Sequence, residues 1–155
     1  MKTAVVLSDS HGRRGAVERV SPLFSENDFI IHLGDGASDM RETFSRYPDK
    51  TYVLRGNCDV MYGLGEMVLE AEGIKILLCH GHHYGVKSGL KRLAMRAKAL
   101  GCDVALYGHT HSAAIEEVDG VLCVCPGAIG DFSGASYCYL VLHKGKVTPT
   151  IVSLD

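Results

Sequence analysis

No apolar run among the 155 residues approaches the roughly 18 residues of a membrane span, so an integral membrane protein is not expected. An excess of one charge is also missing. The formal net charge is −2, which predicts neither a nucleic-acid-binding nor a membrane-binding surface over the whole molecule. The first residues hold one lysine and then a strand-like run up to Asp9. They lack the long apolar region and cleavage site of a signal peptide, which points to the cytoplasm. There is no internal repeat, low-complexity tract or linker. The chain therefore reads as one domain, residues 1–155, with a sizeable core. Paired metal-knuckle cysteines are absent as well. Five of the six cysteines (Cys79, Cys102, Cys123, Cys125 and Cys138) lie in or beside apolar runs, where reduced cysteine packs as a small hydrophobe. Cys58 differs, because it stands inside a motif.

The first half alternates strand and helix. Residues 2–8, 28–33 and 50–55 read as strands. Residues 13–25 and 37–47 read as helices, the first with Ala16, Val17, Val20, Leu23 and Phe24 near helical spacing. That alternation implies right-handed βαβ units and a parallel sheet. The middle breaks the rhythm. Glu66–Glu72 and Ile74–Cys79 flank Gly73 as a hairpin. Residues 87–100 form a helix that buries Leu90, Leu93, Ala94 and Ala97 and stops at Gly101. Its lysines and arginines read as a solvated face. Strand 103–107 then leads into hairpins around Asp119-Gly120 and Lys144-Gly145. This is more strand than one parallel sheet needs. The expected fold class is α/β, with two sheets packed face to face and helices outside.

Polar residues that bind metals or anions follow the apolar runs. AVVLS leads to Asp9-Ser10-His11, FIIHL to Gly34-Asp35, and TYVLR to Gly56-Asn57-Cys58-Asp59. KILLC leads to His80-Gly81-His82-His83, and DVALY to Gly108-His109-Thr110-His111. In an open α/β sheet, ligands gather outside the carboxyl ends of the strands. A fold that aligns those ends brings carboxylates, imidazoles and one amide into a single pocket, a donor set that suits two transition-metal ions. If each pair stays extended, Asp9 and His11 share one side of the chain, as do His109 and His111.

Taken in order, Asp9-x-His11, Gly34-Asp35, Gly56-Asn57-x-Asp59, His80-Gly81-His82 and Gly108-His109-x-His111 resemble the motifs of the calcineurin-like metallophosphoesterases. Their spacing is most similar to the small YfcE-like phosphodiesterases. The resemblance implies a four-layer α/β/β/α sandwich of two mixed sheets flanked by helices. It implies that Asp9, His11, Asp35 and His111 hold one metal and that Asp35, Asn57, His80 and His109 hold another, with Asp35 bridging. A hydroxide shared by the metals would attack phosphorus in line. The expected cofactors are two divalent ions, Mn2+ first, with Fe, Co, Ni or Zn also suited to such ligands.

Two departures affect the chemistry. Many relatives have a histidine after the asparagine of the third motif, where it can protonate the leaving group. This chain has Cys58 there, and a thiol is not an obvious substitute. Relatives often read Asn-Pro-Gly-Ser where this chain reads Cys125-Pro126-Gly127-Ala128. His82 is the candidate phosphate contact or proton donor, and Asp59 a candidate catalytic or orienting carboxylate. His32 reads as a satisfied core histidine, and Arg13 as either a phosphate clamp or a solvated side chain. The expected activity is phosphodiester hydrolysis of a small phosphoester. The alternatives are a phosphomonoesterase of the same fold and a non-catalytic interaction scaffold like the retromer subunit that shares it. No nucleic-acid or membrane partner is indicated, and a homo-oligomer stays open.

Overall fold

The computed structural model describes residues 1–155. Ten strands form two five-stranded sheets. The first contains β1 (Lys2–Leu7), β2 (Phe29–His32), β3 (Thr51–Val53), β9 (Ser136–His143) and β10 (Lys146–Ser153), in the order β10-β9-β1-β2-β3. Within it, β1, β2 and β3 are parallel, and β9 and β10 are antiparallel additions. The second contains β4 (Glu66–Ala71), β5 (Ile74–Cys79), β6 (Val104–Leu106), β7 (Ala114–Val118) and β8 (Val121–Cys125), in the order β4-β5-β6-β8-β7. Here β5, β6 and β8 are parallel, with β4 and β7 antiparallel at the edges.

Alternation along the strands builds the layers. Ala4 and Val6 of β1 face one core, whereas Val5 and Leu7 face another. Ile76 and Leu78 of β5 meet Ala4 and Val6 in the first core, between the sheets. Leu77 and Cys79 point outward. Because successive strand side chains take opposite faces, both faces of each sheet are apolar and need covering. Helices α1 (Arg14–Val20) and α2 (Arg41–Arg46) flank the first sheet, where Val17, Val20, Phe24 and Met40 pack on Val5, Leu7 and Ile30. Helix α3 (Lys91–Ala99) covers the second sheet with Leu93, Ala94 and Ala97. Burying one such leucine side chain is worth about 1.5–3 kcal/mol. The result is the expected α/β/β/α sandwich. No helix is long and apolar enough to cross a membrane.

The helices are shorter than their apolar spacing predicts. Residues 13–25 form an α-helix only to Val20, and the chain then tightens into a 3-10 turn at Ser21–Leu23. Pro22 explains this, since it has no N–H to donate and its ring crowds the preceding turn. Residues 37–47 begin as a 3-10 turn, Ala37–Met40, before α2. Residues 87–100 are interrupted at Gly89, whose φ of 135° is not helical. The three predicted hairpins are present. Each turns through two left-handed residues, Glu72-Gly73, Asp119-Gly120 and Lys144-Gly145, whose twist matches that of the paired strands. All six cysteines are free thiols, and five are buried. Burial pushes Cys79 up to about 12, which keeps it protonated and inert.

Candidate metal centre

The parallel strands of both sheets end on one side of the sandwich, and the predicted ligands lie just past those ends. The chain does not deliver them in extended form. β1 stops at Leu7 and β6 at Leu106. Asp9, His11, Asp35, His109 and His111 take φ values of 56°, 48°, 57°, 72° and 64°. A left-handed backbone is unfavourable for residues with a Cβ and concentrates at functional sites. The alternation argument for Asp9-x-His11 and His109-x-His111 is therefore corrected. Each pair converges by turning, not by lying on one face of a strand.

Backbone hydrogen bonds hold these turns. Asp9 N–H donates to the Gly34 carbonyl and His11 N–H to the Asp35 carbonyl, both at 2.9 Å. Two glycines permit the close approach. A Cβ at Gly56 would run into the Asp35 carboxylate, and one at Gly108 would meet the Ser8 hydroxyl and Asp9 Oδ2.

Three donor clusters result, two of them made wholly of predicted ligands and the third joining His11, Asp35 and Cys58. Asp9, His11 and His111 form one of the two, and Asp35, His80 and His109 the other, with ligand atoms within 4.8 Å of one another in each. Asp9 Oδ1 lies 3.3 Å from His111 Nε2 and 3.5 Å from His11 Nε2. Asp35 Oδ2 lies 3.3 Å from His80 Nε2 and 3.7 Å from His11 Nε2. Asp35 thus faces both clusters. Ligands on one ion at about 2.1 Å sit roughly 3.4 Å apart, so these spacings fit metal coordination.

In four of these side chains (Asp9, Asp35, His80 and His111) the other polar atom is engaged elsewhere, which selects the free one. Asp9 Oδ2 accepts from the Ser8 hydroxyl and from His109 N–H, so Oδ1 is the open oxygen. Asp35 Oδ1 accepts the Cys58 N–H at 2.8 Å. His80 Nδ1 donates to the Leu33 carbonyl at 2.9 Å, leaving Nε2 inward. His111 Nδ1 lies 3.3 Å from Asp131 Oδ1. Such outer partners fix the tautomer and direction of a metal-binding imidazole. Asp9 Oδ1 and His80 Nε2 are buried with no hydrogen-bond partner. Asn57 turns its amide nitrogen toward Cys58 Sγ at 3.5 Å, which leaves its carbonyl oxygen uncommitted.

The other candidates separate clearly. Asp59 does not reach into the cluster. Its Oδ2 accepts the N–H groups of Asp35 and Gly56, both at 2.8 Å, and its Oδ1 those of Gly36 and Ala37, both at 3.0 Å. Burial opposes its charge, but these four donors outweigh burial and hold the carboxyl below its usual range. It organises the Asp35 loop, and the geometry gives no support to its expected catalytic role. His82 stacks beside His83, with centroids 4.0 Å apart and 6.1 Å from His109. Burial, then the neighbouring imidazoles, lowers its pKa. The Arg13 guanidinium is spent on the Gly130 carbonyl and the Phe132 ring, 3.3 Å from its centroid. It is therefore not a free phosphate clamp. The Cys58 thiol is exposed, and local desolvation followed by the Asp35 carboxylate raises its pKa. The segment at Cys125-Pro126-Gly127-Ala128 is buried, and the backbone after it is tied in through Ile129 N–H to the Ser8 carbonyl.

The chain is 36% identical over 129 residues to the probable metallophosphoesterase YsnB of Bacillus subtilis, covering 81% of this chain and 73% of that protein. It is 26% identical over 156 residues to the phosphodiesterase YfcE of Escherichia coli, covering 83% and 80%. The fold matches a crystal structure of a Vps29 single mutant from Entamoeba histolytica with a TM-score of 0.76 at 23% identity, over 99% of both chains. The family model for the calcineurin-like phosphoesterase superfamily domain matches residues 1–146, and the chain belongs to that superfamily.

Proposed function

We propose that this chain is a dinuclear metal-dependent phosphodiesterase. Asp9, His11 and His111 grip one ion, Asn57, His80 and His109 grip the other, and Asp35 is shared. The observation that carries this reading is the pair of buried, unpartnered atoms Asp9 Oδ1 and His80 Nε2. A carboxylate withdrawn from water with one oxygen unsatisfied is costly, and a cation between these atoms removes the cost. The mixed imidazole, carboxylate and amide set suits Mn2+, and also Fe, Co, Ni or Zn. Two such ions, when bound, supply Lewis-acid stabilisation of the phosphoryl oxygens and acidify a water for attack on phosphorus.

The chain's own groups set which esters suit it. The Cys58 position holds a thiol whose pKa is raised, and a protonated thiol is a weak general acid. Diesters and activated esters, whose leaving groups depart with little proton assistance, are therefore favoured over ordinary monoesters. His82 has a lowered pKa and serves as a neutral hydrogen-bonding group toward phosphate. The relative named a phosphodiesterase supports the same choice. The likeness to Vps29 at 23% identity concerns the fold alone. The intact ligand set favours the enzyme over a scaffold.

Metal analysis of the Mn-loaded protein should return two ions per chain. A screen against mono- and diesters, cyclic nucleotides included, should yield diester hydrolysis. One ion per folded chain would sink the dinuclear reading. Preferential monoester hydrolysis would move the assignment to a phosphomonoesterase.

A further inference from the structure

A cleft of about 430 Å³ is lined by Ser38, Arg41, Cys58, Val60, Met61 and Tyr62. Cys58 ties it to the metal centre, because its sulfur, an imidazole nitrogen of His11 and a carboxylate oxygen of Asp35 lie within 4.8 Å of one another. The cleft therefore adjoins the donor clusters. Its walls are unusual for solvent-facing surface. Val60 and Met61 are 86% and 89% exposed, and neighbouring exposed apolar side chains next to a polar site mark a surface that something covers. The Arg41 guanidinium lies over the Tyr62 ring, 5.4 Å from its centroid. A guanidinium at this distance over a ring face makes a cationic, aromatic wall. Methionine is flexible and polarisable and packs well against the edge of an aromatic ring. The Asp59 carboxylate also borders the cleft, where its oxygens are occupied by four backbone N–H groups.

We propose that this cleft is a subsite for an aromatic arm of the phosphoester, an aryl or nucleobase group held between Met61 and the Arg41–Tyr62 wall while the phosphoryl group sits at the metal centre. The inference rests on the phosphoesterase reading above and adds the substrate class. Its occupant is chosen by three features on one surface: continuity with the donor clusters through Cys58, a cationic aromatic wall, and apolar side chains with no cover inside the chain.

Phosphonates test the subsite without turnover, because their P–C bond is not hydrolysed. Isothermal titration calorimetry of the Mn-loaded protein should give phenylphosphonate a Kd about 10-fold below that of methylphosphonate, the scale of discrimination that apolar pocket contacts provide. Met61→Ser and Arg41→Ala should each shrink that ratio. Met61 is almost wholly exposed, so its replacement leaves folding intact, which the thermal midpoint would verify. Metal-dependent binding of both phosphonates with equal affinity, or a ratio unmoved in both variants, overturns the subsite and leaves the phosphoesterase reading standing. Binding of neither phosphonate to the Mn-loaded protein overturns both. A dimer in sedimentation that Met61→Ser dissociates would assign the surface to a second copy of the chain instead, and this also overturns the proposal.

Discussion

The Ser10 hydroxyl lies 2.9 Å from Nε2 of His32, and both residues are fully buried where the ends of β1 and β2 meet. Their roles follow from the neighbours. Gly34 N–H donates to His32 Nδ1 at 3.1 Å, so the ring proton sits on Nε2 and donates to Ser10. The Ser10 hydroxyl donates in turn to Asp39 Oδ2 at 2.7 Å, which also accepts the Gly12 N–H at 2.9 Å. Serine, histidine and aspartate are all present, but the polarity is opposite to that of a nucleophile triad, in which the imidazole takes the serine proton. The chain locks the two loops that carry Asp9, His11 and Asp35.

That lock makes stability depend on pH. Burial lowers the His32 pKa from 6.5 to about 4, so the folded state holds the neutral ring while the unfolded chain protonates near 6.5. The stabilisation is complete above the unfolded value, begins to fade below it, and is lost as pH falls through about 4. Between pH 7.5 and pH 5 the expected loss from this group is about 2 kcal/mol. Denaturant melts across that range should show it, and His32→Gln, less stable at pH 7.5, should show a flatter profile. An identical pH slope in the variant would remove His32 from the account.

Asp59→Asn should destabilise the protein by about 2–3 kcal/mol, because one of the two acceptor oxygens becomes an amide nitrogen that presents hydrogens to two of the four backbone N–H groups. The wild-type carboxyl is held below its usual range. Its contribution is therefore present above the unfolded carboxyl pKa and lost as pH falls through the lower folded value. Loosening the Asp35 loop should also weaken metal binding, which separates a positioning role from direct chemistry. Mn affinity measured by calorimetry should fall, and activity at saturating Mn should recover in part. A variant with wild-type metal affinity and no activity at any Mn concentration would return Asp59 to a catalytic role.

Because Asp35 faces both donor clusters, Asp35→Asn should reduce the metal content of both sites, whereas His11→Ala should reduce mainly one. Loss of Lewis-acid stabilisation worth several kcal/mol should lower diester hydrolysis about 100-fold or more. Metal titration followed by activity at limiting Mn would check this. Wild-type turnover in Asp35→Asn under those conditions would eliminate the shared-ligand arrangement.

Much of this architecture was legible in the residues. Ala4-Val5-Val6-Leu7 and Ile76-Leu77-Leu78-Cys79 are apolar on both faces, so each had to be a central strand covered on both sides. The ligand residues were visible because each follows a strand end. Their convergence on one pocket was expected from the aligned strand ends, but its route was not, since it runs through five left-handed residues that carry side chains, a conformation local propensity argues against. The sequence set Asp59 apart from the ligands but left its role open between catalytic and orienting, because spacing does not reveal that both carboxylate oxygens are occupied by N–H groups. The Ser10–His32–Asp39 chain spans three separate segments, and the one available sign was a polar residue, His32, in an otherwise apolar strand.

The last prediction concerns the leaving group. Cys58 stands where an acid is commonly found, and its thiol pKa is raised by local desolvation and by Asp35. His82 is the alternative donor, but burial and adjacent imidazoles lower its pKa, which leaves it neutral near pH 7 and a poor source of a proton. Neither group should give strong assistance, so the rate for a series of aryl phosphodiesters should fall steeply as leaving-group pKa rises. Cys58→His should flatten that dependence if the ring fits the space beside Asn57. Cys58→Ser should retain most activity, because the sulfur is neither nucleophile nor required acid. A flat wild-type dependence that turns steep only in His82→Ala would make His82 the acid. A folded, metal-replete Cys58→Ser protein without activity would show that the thiol takes part in the chemistry.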